Sequence, residues 1–299
     1  MGTSSQSVTT TEGVRERLAG NKLQVLLVTP VVLWFLLFLI VPLFIIGYYS
    51  FFTVESFQII REFSLETWRT KVFTAENFSI FVRTFGFAAG ITVGSVLLGY
   101  PVAYYLRFKL SQRLGFLLVL ISIIPFWISG IIRALAWRPI LGQSGVISGV
   151  LLRLGLIGQP LEWLLFSSFA MVIGYLANYV VFMYVPIYAA LLNVDADLID
   201  ASQTLRATPW ASFKTVVLPL SLPGVAIGSI FVFVLTLGDF VVPQFFSSGE
   251  TTVPGLVFLQ VSLGLNWPTA AGLSILLIAI ILLLISLLFR FVDITESLG

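Results

Sequence analysis

One carboxylate stands where carboxylates are rarely tolerated. Asp239, in LTLGDFVVPQFF, ends a run that carries no charge from residue 215 to residue 238. Burying a charged side chain at the centre of a bilayer costs about 2.5–3.5 kcal/mol on insertion scales, so such a residue needs a partner, a cavity or water. If the surrounding run is one helix, Val232, Thr236, Phe240 and Pro243 share its side. A carboxylate flanked by aromatic rings suits an organic ammonium, through ion pairing and cation–π attraction. Two further stripes have related character. Tyr175, Asn178, Tyr179 and Phe182 recur at helical spacing, and Phe126, Gly130, Arg133 and Trp137 line one side of another apolar run. Asp239, Trp127, Arg133, Asn178, Tyr179 and Phe240 therefore form the candidate site for a solute crossing a membrane. The alternative is structural: Asp239 salt-bridges Arg133 or reaches the outer interface, and the stripes are packing.

A second segment, NVDADLIDASQTLRATPWASFKTVVLPLSLPG at 193–224, is polar and carries its own helical signals. Thr208 is placed to cap a helix whose first residue is Pro209. Upstream, Leu198, Ile199, Ala201, Ser202 and Leu205 give a short helix with one apolar side. Pro219 and Pro223 punctuate the approach to the next apolar run. Two short helices meeting near Arg206–Thr208 make a knob that projects from the membrane; the alternative is an ordinary loop with helical ends.

Absent residue types exclude much other chemistry. The chain has no His, which removes Ser-His-Asp triads, His-ligated metals and His proton relays. It has no Cys, so disulfides, thiol catalysis and cysteine-bound clusters are excluded. Lys22, Lys71, Lys109 and Lys214 all lack a preceding Gly, so there is no phosphate-cradling P-loop. A Ser-Lys hydrolase is disfavoured because no lysine falls within an apolar run. A net charge of +2 is too small to suggest nucleic acid.

The elements that must position these groups are membrane helices. Of 299 residues, 58% are hydrophobic and 10% charged, against about 25% charged in soluble domains; mean hydropathy is +1.04. Stretches free of Asp, Glu, Lys and Arg cover 23–54, 84–106, 114–132, 163–194, 215–238 and 251–289. Each is long enough for one crossing, which takes about 20 residues. The fold class is thus an all-α integral membrane protein with six transmembrane helices, expected at 25–51, 84–106, 114–136, 163–190, 219–245 and 267–290. Residues 1–22 read as a flexible tail and 293–299 as a second, with the membrane domain between at 23–292. The first apolar run is too long for a signal-peptide core and is read as retained. Segment 137–162, with Arg153 among apolar residues, is expected to lie along the surface. Gly86, Gly90 and Gly94, and Gly224 and Gly228, are four apart and predict close helix approach, while Pro42, Pro101, Pro125 and Pro186 predict kinks. With the N-terminus inside, inner segments hold Arg15, Arg17, Lys22, Arg107, Lys109, Arg113, Arg206, Lys214 and Arg290, nine bases against seven outside. The positive-inside bias favours that orientation by a thin margin.

The segment DASQTLRATPWASFKTVVLPLSLPG resembles the cytoplasmic Glu-Ala-Ala loop of ABC-importer permease subunits. Asp200, Ala201 and Ser202 stand at the Glu-Ala-Ala positions, and Leu218-Pro219 at a downstream Leu-Pro. LGYPVAYYL (98–106), PFWISGIIRALAW (125–137), LGQSGVISGVLLRLGLI (141–157), LTLGDFVVPQFF (235–246) and NWPTAAGLSILL (266–277) resemble permeases of the spermidine/putrescine type. The resemblance implies the type I ABC importer permease (MetI-like) fold, both termini cytoplasmic, in a bacterial inner membrane. It implies a coupling loop at about 193–218, with Asp200, Ala201, Ser202, Leu205, Arg206, Ala207, Pro209 and Phe213 docking on an ATPase. The partners it implies are a second homologous permease, two ATPase subunits and an extracytoplasmic solute-binding protein, with the lipid bilayer around them. No cofactor binds this chain; ATP and Mg belong to the ATPase. Two departures matter: Asp200 is one methylene shorter than Glu, and Arg206 replaces the usual Gly, which adopts a left-handed backbone more cheaply. A polyamine is the implied solute, and one acid would not neutralise its several charges. An opine, an amino-acid derivative, a sugar phosphate or ferric iron stays open, since those importers share the loop. An ATP-independent secondary transporter is the remaining alternative, disfavoured by the scarcity of titratable groups in the spans.

Overall fold

The computed structural model describes residues 27–56, 58–204 and 206–291. The expected tails at 1–22 and 293–299, with Arg15, Arg17 and Lys22, and the loop residue Leu205 lie outside the described residues. Among the described residues, five helices are long and apolar enough to cross a membrane, or six if one sharply bent pair counts as a single span. In chain order, α1 is Leu27–Tyr49, α2 Ala75–Phe108, and α3 Gln112–Trp127. Helix α4 is Gly130–Leu141, α5 Val146–Arg153, α6 Ser168–Leu192 and α7 Ala196–Thr204. Helix α8 is Pro209–Gly238, α9 Val241–Phe246, α10 Val253–Ser262 and α11 Trp267–Phe291.

The departures from expectation have local causes. Helix α2 begins at Ala75, upstream of the charge-free run, because Thr74 Oγ1 accepts the Asn77 amide at 3.1 Å and Glu76 sits in the first turn. The third expected span is broken. Pro125 lies in a tight turn, Ile124–Trp127, and beyond Ile128 the chain restarts at Gly130 with a bend of 98°. Segment 137–162 supplies the end of α4 and the short α5. The fifth span is continuous from Pro209, through Pro219 and Pro223, but stops at Gly238 rather than 245. A two-stranded hairpin, β1 Thr53–Glu55 against β2 Gln58–Ile60, had no signal in hydropathy, and the short α10 lies within the charge-free run 251–289, ahead of the span expected there. Of the prolines expected to kink helices, Pro101 and Pro186 lie inside continuous helices, whereas Pro125 marks the break.

Helices α2, α6 and α8 form the centre. Ile91, Ala103, Met183, Ile187, Leu191 and Val232 are buried there in one cluster. Backbone contact between α6 and α8 is close: a Cβ on Gly224 would lie 2.6 Å from the Pro186 carbonyl oxygen, and one on Gly228 2.9 Å from that of Met183. That pair meets its small-residue expectation. Gly86 and Gly90 do not, since nothing lies within 4 Å of their would-be Cβ atoms, and only Gly94 approaches a neighbour, Leu176, at 3.3 Å. Gly228→Val is therefore expected to abolish recovery of folded, monodisperse protein in detergent gel filtration, whereas Gly90→Val leaves the profile unchanged. Helix α1 buries none of its residues against the rest of the chain.

Candidate functional site

The contacts of Gly224 with Ile187 and of Gly228 with Met183 show α6 and α8 running in opposite directions. Eleven residues beyond Gly228, about 16 Å along the axis, α8 ends at Asp239. Its backbone is extended (φ −89, ψ 123), so Asp239 is a break rather than a point on a helix face. The expected alignment with Val232, Thr236, Phe240 and Pro243 is thereby replaced. Aspartate's short side chain competes for nearby backbone donors. Here Oδ1 accepts the amides of Val241 at 2.6 Å and Val242 at 3.4 Å, and so starts α9. The other oxygen, Oδ2, accepts the Tyr179 hydroxyl at 2.9 Å.

The stripe on α6 is brought to the same place. Asn178 is buried, donates to the Gly174 carbonyl at 2.7 Å and accepts Arg133 Nε at 2.5 Å. Arg133 also donates to the Pro125 carbonyl at 3.2 Å and lies 4.5 Å over the Phe126 ring. The break between Phe126 and Gly130 means these residues do not share one helix face, yet the bend folds Arg133 back over Phe126. Arg133 makes no ion pair with Asp239 among the described residues; its guanidinium is held by Asn178 and Pro125. Tyr175 stacks on Tyr179 at 6.1 Å, and its buried hydroxyl has no bonding partner among the described residues. Phe240 stacks on Phe258 of α10 at 4.8 Å. Trp127 is not brought in: it is 89% exposed beyond the broken turn. The result is a fixed carboxylate between tyrosines, with a guanidinium on an adjacent amide, able to attract a cation without reacting with it. Among the described residues no group of three or more His, Cys, Asp or Glu is placed to hold a metal.

At the other end of α8 lies the polar loop. Helix α7 ends in a turn in which Arg206 has φ +64, and the Ala207 amide donates to the Ser202 carbonyl at 3.1 Å. Thr208 then caps α8, accepting the Ala211 amide at 3.2 Å, as its sequence position predicts. Ser202 Oγ lies 2.7 Å from the Ile199 carbonyl and 2.6 Å from Ser212 Oγ, tying α7 to the first turn of α8. Asp200, Ala201 and Pro209 are exposed, and Ala207 is half-buried. Phe213 turns inward, 5.6 Å from Tyr100 and 6.0 Å from Tyr104 of α2.

Residues 95–297 match the family described as binding-protein-dependent transport system inner membrane component. The chain belongs to that family. The permease is 32% identical to the inner membrane ABC transporter permease protein YdcU of Escherichia coli K12, over 91% of this chain and 90% of that protein. It is 28% identical to the spermidine/putrescine transport system permease protein PotB of the same strain, over 88% of this chain and 96% of that one. A crystal structure of a bacterial ABC transporter that imports the acidic polysaccharide alginate shares the fold, with a TM-score of 0.66 over 93% of this chain and 97% of that chain at 17% identity. The permease therefore has the ABC importer permease fold that its loop resemblance implies.

Arg206 takes up the left-handed conformation at the position where the loop pattern has Gly. For a non-Gly residue that conformation costs on the order of 1–2 kcal/mol, and the bond from Ala207 to Ser202 and the Thr208 cap hold it in place. Several groups escaped sequence reasoning. Arg107, from the end of α2, donates to the Leu191 carbonyl at 3.1 Å and the Val194 carbonyl at 3.2 Å, closing the C-terminus of α6 where the loop begins. Trp210 is 71% exposed on the loop and stacks on Phe213 at 5.3 Å. An exposed Trp beside the Thr-Pro cap was the available signal for it.

Proposed function

We propose that this permease forms half of the translocation pathway of an ATP-driven importer for a polyamine such as spermidine or putrescine. The observation that carries the reading is the Asp239 carboxylate, held by Tyr179 and two backbone amides, with no direct ion pair among the described residues, the nearby Arg133 guanidinium being bonded to Asn178 and Pro125 instead. The similarity to spermidine/putrescine permeases over most of the chain supports the same solute class. Asp239, Tyr179, Asn178, Arg133 and Phe240 serve as the path on this chain, with Trp127 exposed on the side left open for the second permease. Residues 193–218 dock on a separate ATPase through Asp200, Ala201, Ser202, Arg206, Ala207 and Pro209, with the expected Leu205 among them, and Phe213 couples the loop to α2 from behind. ATP and Mg stay on two ATPase subunits. A second homologous permease completes the path, and a solute-binding protein delivers the polyamine at the far end. The loop faces the cytoplasm, as do both termini.

Closure of the ATPase pair moves the loop and opens the path outward, which requires ATP to bind the closed state more tightly. The test is reconstitution of the full complex, with its companion subunits, in liposomes. ATP-dependent accumulation of labelled spermidine or putrescine is expected, and none when this chain alone is given an ion gradient. Concentrative uptake by the chain alone would sink the ATP-driven reading. A complex that hydrolyses ATP yet moves neither polyamine would sink the solute.

A further inference from the structure

Beyond the end of α9 lies a carboxylate with no task so far. Glu250 Oε1 accepts a hydrogen bond from Ser168 Oγ at 2.5 Å, at the first residue of α6. The Glu250 carbonyl accepts Ser247 Oγ at 3.0 Å, so both the backbone and one carboxylate oxygen are fixed. The other oxygen, Oε2, is buried and bonded by no group among the described residues. Oε2 has almost no surface open to solvent, so a ligand in the adjoining space meets the carboxylate at Oε1, beside Ser168 Oγ, and the unbonded oxygen leaves the group acceptor capacity to spare.

Glu250 lines a cavity of about 190 Å³ together with Pro243, Gln244, Ser247, Thr251 and Leu259, among other residues. No Lys or Arg is among the lining residues. One carboxylate with the neutral acceptors of Gln244, Ser247 and Thr251 is a poor set for a divalent metal, which draws several anionic ligands. It is a good set for a primary ammonium, which has three hydrogens to donate and one charge to neutralise. Pro243 and Leu259 supply apolar contact for an alkyl chain.

The position of this cavity adds to its chemistry. Asp239 binds the first amides of α9, whose six residues span about 9 Å, and Glu250 follows four residues beyond its far end. Two carboxylates thus bracket one short helix. A ligand with several ammonium groups on a flexible chain requires such a spread of negative charge, which Asp239 alone does not provide.

We infer that the Glu250 cavity binds one ammonium group of an alkyl polyamine, as the station beside Asp239 at the end of the path opposite the 193–218 loop. The inference rests on the polyamine reading above. The test uses the full complex without its solute-binding protein, and measures spermidine binding by equilibrium dialysis alongside ATP-driven uptake by the complete system. Glu250→Gln is expected to weaken spermidine binding about tenfold and to slow uptake comparably, since one charge-assisted contact is lost. Gln244→Lys, which adds a competing ammonium at the cavity wall, is expected to do the same and keeps the test decisive if Glu250→Gln fails to assemble. Unaltered complex that neither binds nor moves spermidine would overturn the solute reading itself. Unaltered complex that transports spermidine, with variants that assemble and bind it equally well, would overturn the Glu250 site alone. Variants that bind spermidine normally but no longer recruit the solute-binding protein would also overturn it, making Glu250 a docking residue.

Discussion

Asp239→Asn is expected to cut ATP-driven polyamine uptake by roughly ten- to a hundredfold while leaving assembly of the complex intact. The substitution isolates charge from shape. Asparagine keeps an oxygen to accept the Val241 and Val242 amides that start α9, and its amide group can donate to the Tyr179 hydroxyl oxygen. What disappears is the anion. A hydrogen bond to a charged group is worth about 1.5–3 kcal/mol, or roughly one to two decades in rate when a passing ammonium loses it. Tyr179→Phe leaves the charge and removes one donor to the carboxylate, so its effect is expected at the lower end of the same range, about tenfold. The measurement is initial uptake of labelled putrescine and spermidine by the reconstituted complex, with detergent gel filtration as the control for assembly. Unchanged uptake in Asp239→Asn would make the carboxylate a helix-starting device and nothing more.

The second large effect is expected at the loop. Asp200 is exposed on α7 and Trp210 on the first turn of α8, so Asp200→Lys reverses a surface charge with little consequence for folding. Loss of ATPase co-purification, or ATP hydrolysis that no longer drives uptake, is the expected result. Phe213→Ala separates docking from transmission. Its ring is packed against Tyr100 and Tyr104 and stacked on Trp210, so truncation leaves the exposed face in place but empties the joint behind it. Retained ATPase binding with uptake reduced about tenfold is expected, because the half-buried ring gives up its aromatic contacts with Tyr100, Tyr104 and Trp210, worth about 0.5–1.5 kcal/mol each. Normal coupling in both variants would remove the docking role from the segment. Arg206→Gly relieves a left-handed non-Gly backbone and is expected to keep coupling normal.

The sequence made some of this legible and hid the rest for identifiable reasons. Charge-free runs locate the crossings well, because lipid excludes charge whatever the helix does. They do not show where a helix stops within a run, so the breaks after Trp127 and at Asp239 were missed. The aspartate looked like a charge on a helix face, whereas its short side chain binds the following amides and ends the helix. Thr208-Pro209 and the Gly224–Gly228 pair were readable because capping and close approach are local or strictly spaced. Gly86 and Gly90 show that spacing alone does not specify a partner. Arg107 was unreadable as a loop residue, since its bond to Leu191 spans 84 positions of sequence. Glu250 was hidden because an acid at the edge of an apolar run looks like an ordinary boundary charge.

The unbroken course of α8 has a mechanical consequence. Its first residue, Pro209, belongs to the polar loop, and its last, Gly238, adjoins Asp239. Thirty residues of helix make a rod about 45 Å long. A tilt of about 5° about the loop end would swing the opposite tip by roughly 4 Å, enough to part Asp239 from Tyr179 without any relay of side-chain rearrangements. Stiffness, more than a chain of contacts, would then carry the stroke, and the wide turn at Phe213–Val217 is where that stiffness would first give way.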